Sequence, residues 1–179
     1  MKLQGLISLL LLTLLGIGNA AAHADAAADQ SYRLAAGDDI EIRVYGEDDM
    51  LVRTRIGESG VISYPFLGSI TVKGLTVNEL EQLIVKGLKG PYLVDPAVSI
   101  NIMEYRPFFM NGEVIRPGAF PFQPGVTLRK AVAMAGGFTE RANRSGGDVL
   151  RGGDEKSQTL TLDAQIKPGD IITIKQSFF

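Results

Sequence analysis

The chain has 179 residues, 45% apolar and 21% charged, with 18 Lys and Arg against 20 Asp and Glu, the profile of a folded protein of one or two domains. Its formal net charge of −2 offers no basic groove for phosphates, so no nucleic-acid partner is expected. There is no Cys and no Trp, and the single His is His23; once the leader below is removed, Ser-His-Asp and Cys-His catalysis, zinc sites and His-ligated haem are excluded together, and no cofactor or metal is expected.

Lys2 opens the leader, Leu3 to Ile17 is dominated by Leu and Ile, and Ala22-His23-Ala24 fits a small-x-small cleavage site. We expect a signal peptide over residues 1–24, cut between Ala24 and Asp25, and delivery to the periplasm. The competing reading is an uncleaved anchor, because Ala20-Ala21-Ala22 extends the apolar run towards the roughly 20 residues of a span. Gly16, Gly18 and Asn19 loosen the helix there and favour cleavage. Without a Cys after the small residues no lipid anchor is expected, and stability must come from packing. A mature chain of roughly 150 residues buries about 68–70% of its unfolded surface, enough for a core.

After a short Ala/Asp-rich lead, Asp39-Ile40-Glu41-Ile42-Arg43-Val44-Tyr45 alternates with period two, as a half-buried strand does, with Ile40, Ile42 and Val44 on the core face. Gly46-Glu47-Asp48-Asp49 reads as a solvated turn, since its acids lack the spacing of a metal loop. Strand candidates follow at Val52–Ile56, Val61–Tyr64 and Ser69–Val72, each bounded by Gly or Pro. Thr76 with Glu79 is a capping box, and Val77, Leu80, Ile84 and Leu88, joined by Leu83, form one apolar helix face that ends near Gly87 to Gly90 before Pro91. Ala97 to Ile102 alternates again.

A second unit begins at Arg106-Pro107. Phe108–Val114 and Gly118–Phe122 read as a bent hairpin with Pro117-Gly118 at its turn. Thr127 caps a short helix bearing Leu128, Ala131, Val132 and Ala135, which Gly136-Gly137 stops. Asp148–Arg151, Thr159–Leu162 and Ile171–Lys175 are further strands. The fold class is therefore α+β: a small mixed sheet with one amphipathic helix over residues 31–104, then a β-grasp-like order over residues 105–176. One echo stands out. Gly37-Asp38-Asp39-Ile40-Glu41-Ile42 matches Gly169-Asp170-Ile171-Ile172-Thr173-Ile174, either as a convergent turn that launches a strand or by shared ancestry.

Three strings in order carry a resemblance: Tyr32 to Ile42, Gly60 to Gly68 (GVISYPFLG), and Val72-Lys73-Gly74-Leu75-Thr76 before a helix. They resemble the export domain of the bacterial polysaccharide export family. Met110-Asn111-Gly112-Glu113-Val114 with Pro117-Gly118, and Leu128 through Ala135-Gly136-Gly137, look like the soluble-ligand-binding β-grasp domain that accompanies it. The resemblance covers about Tyr32 to Lys175. It implies an envelope protein that helps to move a capsular or exopolysaccharide, with an inner-membrane chain-length regulator, an outer-membrane channel protein and copies of itself as partners. Larger family members form rings and close the outer membrane with a C-terminal helix. Here only Gln176-Ser177-Phe178-Phe179 follows the last predicted strand; such a stretch rises about 6 Å as helix against about 30 Å of hydrocarbon, so no pore by this chain alone is expected.

Sugar rings stack on aromatic faces while their hydroxyls take hydrogen bonds, which makes aromatics beside Arg in Gly/Pro-rich loops the glycan-contact candidates: Tyr64, Phe66, Arg116, Phe120, Phe122 and Arg141. Core packing competes at each aromatic. Phe108-Phe109 and Phe178-Phe179 put one ring on each side of a strand, so Phe108, Phe109, Phe178 and Phe179 are the partner-contact candidates. No catalytic residue is assigned. A carboxylate-driven glycan hydrolase or lyase would draw on Glu58, Glu104, Glu113 or Glu140, none in a recognisable catalytic context; a purely structural adaptor is the other alternative.

Overall fold

Strand β1 (Asp39–Val44) is the spine of the first sheet, because alternation puts Ile40, Ile42 and Val44 on one face, where all three are buried. The computed structural model describes residues 32–152 and 154–177; the predicted leader with its cleavage site, and Phe178 and Phe179, lie outside them. β1 pairs antiparallel with β2 (Glu47–Arg55) on one side and with β5 (Val98–Glu104) on the other. The acidic run is not the turn its charge suggests. The turn contracts to Tyr45-Gly46, with Gly46 left-handed at φ +86°, and Glu47, Asp48 and Asp49 already belong to β2. The register shifts here, so that Asp48–Leu51 oppose Arg43 alone.

β3 (Val61–Tyr64) and β4 (Gly68–Thr71) form a separate hairpin whose tip is Pro65-Phe66-Leu67. Helix α1 (Val77–Leu88) starts where the capping box predicts: Glu79 N donates to Thr76 Oγ1 at 3.1 Å, and Thr76 N donates to Glu79 Oε2 at 2.8 Å. Leu80, Ile84 and Leu88 are buried while Leu83 is 40% exposed; at 100° per residue Leu83 lies roughly 100° from the centre of that stripe, at its margin. Gly87 makes room for the hairpin: a Cβ there would stand 2.8 Å from a Leu67 methyl. α1 also serves the outer edge of β5, since Ile100 N donates to Glu81 Oε1 at 2.9 Å.

The second sheet contains β6 (Phe108–Gly112), β7 (Gly118–Phe120), β8 (Gly146–Leu150), β9 (Gln158–Thr161) and β10 (Ile171–Ile174), in the order β7-β6-β10-β8-β9. Only β6 and β10 run parallel in it. Helix α2 (Leu128–Met134), capped by Thr127, covers one face. Phe108, Met110, Leu128, Ala131, Val132, Val149, Ile172 and Ile174 form that core. The fold is thus α+β, with two helices among the described residues, and neither is long and apolar enough to cross a membrane.

The Gly-Asp echo is one turn built twice. Gly37 and Gly169 are left-handed, at φ +96° and +82°. The aspartate after each is buried and accepts the amide three residues back: Ala35 N to Asp38 Oδ2 and Lys167 N to Asp170 Oδ2, both at 2.8 Å. Between the turns lies Arg106, in the segment from β5 to β6. Its backbone N and its Nη1 donate to Asp38 at 2.9 and 3.2 Å. Its side chain also fills the space beside the second glycine, where a Cβ on Gly169 would stand 2.7 Å from Nε. Asp170 takes a different cation, Arg151 Nε at 3.1 Å.

Candidate functional site: an aromatic pair at a hairpin tip

The two aromatics flanking Pro65 part company. Tyr64 shares the parity of Ile62 along β3 and is only 2% exposed. Its hydroxyl donates to the Met50 carbonyl at 3.1 Å, and burial raises its pKa above the ordinary tyrosine value. Tyr64 is therefore a core residue, which corrects its candidacy as a glycan contact. Phe66, two residues on, has left the ladder and is 58% exposed.

Phe66 also carries the one non-glycine positive φ among the described residues, +65°. A bulky side chain there costs about 1–3 kcal/mol and persists only where its surroundings impose it. Leu67 N donates to the Pro65 carbonyl at 2.8 Å, the left-handed Gly68 follows, and the Leu67 side chain seats against Gly87. That combination turns the Phe66 ring outward against Tyr92, with centroids 5.0 Å apart and planes tilted by 44°. Tyr92 OH donates to the Phe66 carbonyl at 3.2 Å, and Tyr92 is itself 48% exposed. The loop carrying Tyr92 is tied to the end of α1: Tyr92 N and Leu93 N both donate to the Leu88 carbonyl, at 3.2 and 3.0 Å. Two solvated rings are thus presented on braced backbone, with the Lys89–Asp95 ion pair on the same loop.

Tyr92 escaped the sequence reading. The available signal was its place directly after Pro91, just beyond the helix stop; its partnership with Phe66 spans 26 residues and leaves no local trace.

The remaining candidates do not gather around this pair. Phe120 is half-buried and stacks on Phe108 at 5.8 Å, and Phe122 meets Tyr105 edge-on at 5.5 Å. Both pack against the second core. Arg116 is exposed but caps α2, donating from Nη2 to the Met134 carbonyl at 3.0 Å. Arg141 lies on an exposed loop whose carbonyl accepts from Ser177 N at 2.6 Å. Phe108 is fully buried and Phe109 is 41% exposed on the opposite face of β6. Of the carboxylates, Glu104 pairs with Arg55 at 3.0 Å, Glu113 accepts a hydrogen bond from Thr139 Oγ1, and Glu58 and Glu140 are exposed.

The open face of the first sheet is charged and interlocked. Glu41 accepts from Arg53 Nε at 2.5 Å and from Arg43 Nη2 at 3.2 Å. Chiefly Arg53, then Arg43, hold its carboxyl below the ordinary glutamate value against the opposing effect of burial. On the second sheet Lys175 does the same for Asp148, aided by Thr159.

The polysaccharide biosynthesis/export protein family model matches residues 26–103, and the SLBB domain model matches residues 107–158. The exopolysaccharide production protein ExoF of Rhizobium meliloti (strain 1021) is 35% identical over 136 residues, 69% of this chain and 32% of ExoF. The EPS I polysaccharide export outer membrane protein EpsA of Ralstonia nicotianae is 27% identical over 165 residues, 77% of this chain and 42% of EpsA. The chain thus spans well under half the length of these curated relatives. With both models matched in chain order, the chain belongs to the polysaccharide biosynthesis/export protein family.

Proposed function

We propose that the chain is a non-catalytic, periplasmic component of capsular or exopolysaccharide export, and that the Phe66–Tyr92 pair is where it touches the glycan. The observation that carries this reading is the strained Phe66 backbone, which holds a large apolar ring in water beside a second ring. Stacked pyranose C–H faces would cover both rings, and the Tyr92 hydroxyl stands at the rim of the pair for hydrogen bonding. In this reading residues 31–104 form the export module and residues 105–176 a β-grasp module, joined at Arg106. An inner-membrane chain-length regulator, an outer-membrane channel protein and further copies of the chain are the partners. The engaged states of Glu104 and Glu113 support a carrier over a glycan hydrolase or lyase.

Titration calorimetry of the purified chain against a panel of bacterial exopolysaccharide fragments tests the reading. Binding to at least one acidic or neutral heteropolysaccharide is expected, weakened roughly tenfold, 1.4 kcal/mol, by Phe66→Ala or Tyr92→Ala. Binding that ignores both substitutions, or none across the panel, overturns the glycan contact and leaves a structural adaptor; release of reducing ends overturns the non-catalytic assignment.

A further inference from the structure

Tyr45, at the β1–β2 turn, is 86% exposed and takes no part in the Phe66–Tyr92 pair. Alternation along β1 sets Arg43 and Tyr45 on the face opposite Ile42 and Val44. Arg43 is in register with Ser99, and Tyr45 N donates to the Ala97 carbonyl at 2.8 Å. Two long side chains of β1 therefore stand beside two short ones at the start of β5. The step between them is an open pocket of about 210 Å³, lined by Arg43, Tyr45, Ala97, Val98 and Ser99. Sites for drug-sized ligands measure about 300–1,000 Å³, so this one has room for a single small ring. Tyr45 supplies an apolar wall, and the Arg43 guanidinium and Ser99 hydroxyl supply hydrogen-bonding groups.

From this arrangement we infer that the Tyr45–Arg43 pocket is a second sugar subsite, taking a neutral pyranose unit of the same glycan that Phe66 and Tyr92 hold; the inference rests on that reading. A single short loop joins the two places. Tyr92 and Ala97 are five positions apart, which limits their separation to about 18 Å. A disaccharide is used up on the Phe66 and Tyr92 rings, so only a longer chain reaches Tyr45. The charges around Arg43 decide the kind of unit. Its Nη2 already donates to Glu41 at 3.2 Å, and the acids Asp48 and Asp49 lie in the stretch of β2 that opposes it. Its positive charge is thus answered from both sides, which favours a hydroxyl over a further carboxylate. The side chain is 54% exposed, and a guanidinium with five donors keeps some for that hydroxyl. The tight Tyr45-Gly46 turn and the bond to Ala97 fix the backbone beforehand, so little ordering opposes binding.

Calorimetry of the full chain with cellobiose and cellohexaose, both neutral β-linked glucans, tests the inference. The wild-type chain is expected to bind the hexaose more than roughly tenfold tighter than the disaccharide, because the second contact is made intramolecularly. Tyr45→Ala should remove most of that gain and leave cellobiose binding unchanged, whereas Phe66→Ala should weaken both sugars. Ala97→Leu, at an exposed position, fills the pocket floor and should act as Tyr45→Ala does. Rising salt should leave the gain intact, since no charge is paired in forming the contact. A gain that survives Tyr45→Ala and Ala97→Leu would overturn the subsite and leave the Phe66–Tyr92 contact standing. A gain that shrinks with salt would overturn the neutral unit. Binding of neither glucan by a chain that still binds an acidic heteropolysaccharide would overturn the subsite alone. Binding of the glucans that ignores Phe66→Ala would instead overturn the first contact.

Discussion

The two Gly-Asp turns share backbone and anchoring hydrogen bond but differ in the cation each recruits. Asp38 takes Arg106 from the segment between the sheets, whereas Asp170 takes Arg151 from its own sheet. One local device therefore does two jobs: it fastens a joint in the first case and trims a strand end in the second. The difference lies wholly in where the arginine comes from.

Removing the carboxylates should separate these roles most strongly. Asp38→Ala removes the buried carboxylate that the Arg106 backbone amide and guanidinium and the Ala35 amide donate to, and loss of one partner of such a covered pair costs about 3–5 kcal/mol. Asp170→Ala should cost a similar amount. In calorimetry, however, only Asp38→Ala should split or broaden unfolding, by loosening the joint; a single sharp transition in both would show that Arg106 couples nothing.

The glycines give a finer contrast. Alanine at either costs about 1–2 kcal/mol for its left-handed backbone alone. At Gly37 the new methyl would also press on the Arg106 Cβ, 3.0 Å away, whereas at Gly169 it meets the displaceable Nε at 2.7 Å. Gly37→Ala should therefore be the more destabilising in urea titrations, and the reverse order would show that the side chain of Arg106 is the stiffer element. Between the helices, Thr76→Ala should cost about 1–2 kcal/mol because it breaks a reciprocal capping box, and Thr127→Ala about 0.5–1 kcal/mol, for a single bond to Lys130 N at 3.4 Å.

The hairpin tip should respond with the opposite sign. Phe66→Gly removes the strained φ and should leave the chain as stable or up to about 1 kcal/mol more stable, while glycan binding falls. A clear loss of stability would mean that the Tyr92 contact outweighs the strain.

The smallest effect sets the two open sheet faces against each other in acid. Glu41 and Asp148 both have folded pKa values below their unfolded ones. The stability they add is complete above the unfolded carboxylate values near pH 4 and is lost as pH falls through the folded ones. Glu41→Gln should flatten that acid limb in urea midpoints more than Asp148→Asn, since two arginines serve Glu41 and one lysine serves Asp148.

How far the sequence could be read follows the range of each interaction. The capping box at Thr76 and Glu79 and the alternation at Ile40, Ile42 and Val44 are complete within a few residues, so they were legible. Parity from Ile62 could also have buried Tyr64; the flanking proline drew attention to loop chemistry instead. The acids of Glu47 to Asp49 suggested solvent, and they are solvated, but on an extended edge: charge reports exposure and does not distinguish a turn from the rim of a sheet. Tyr92 with Phe66, and Arg106 with Asp38, are pairings across long stretches of chain for which no local pattern exists.

The Glu81 carboxylate on the Ile100 amide has one more consequence. A strand arriving beside β5 must first evict that carboxylate, so the rim is stoppered by the helix packed beside it. The same helix that braces the hairpin tip thus also keeps this side of the sheet from templating a fibril.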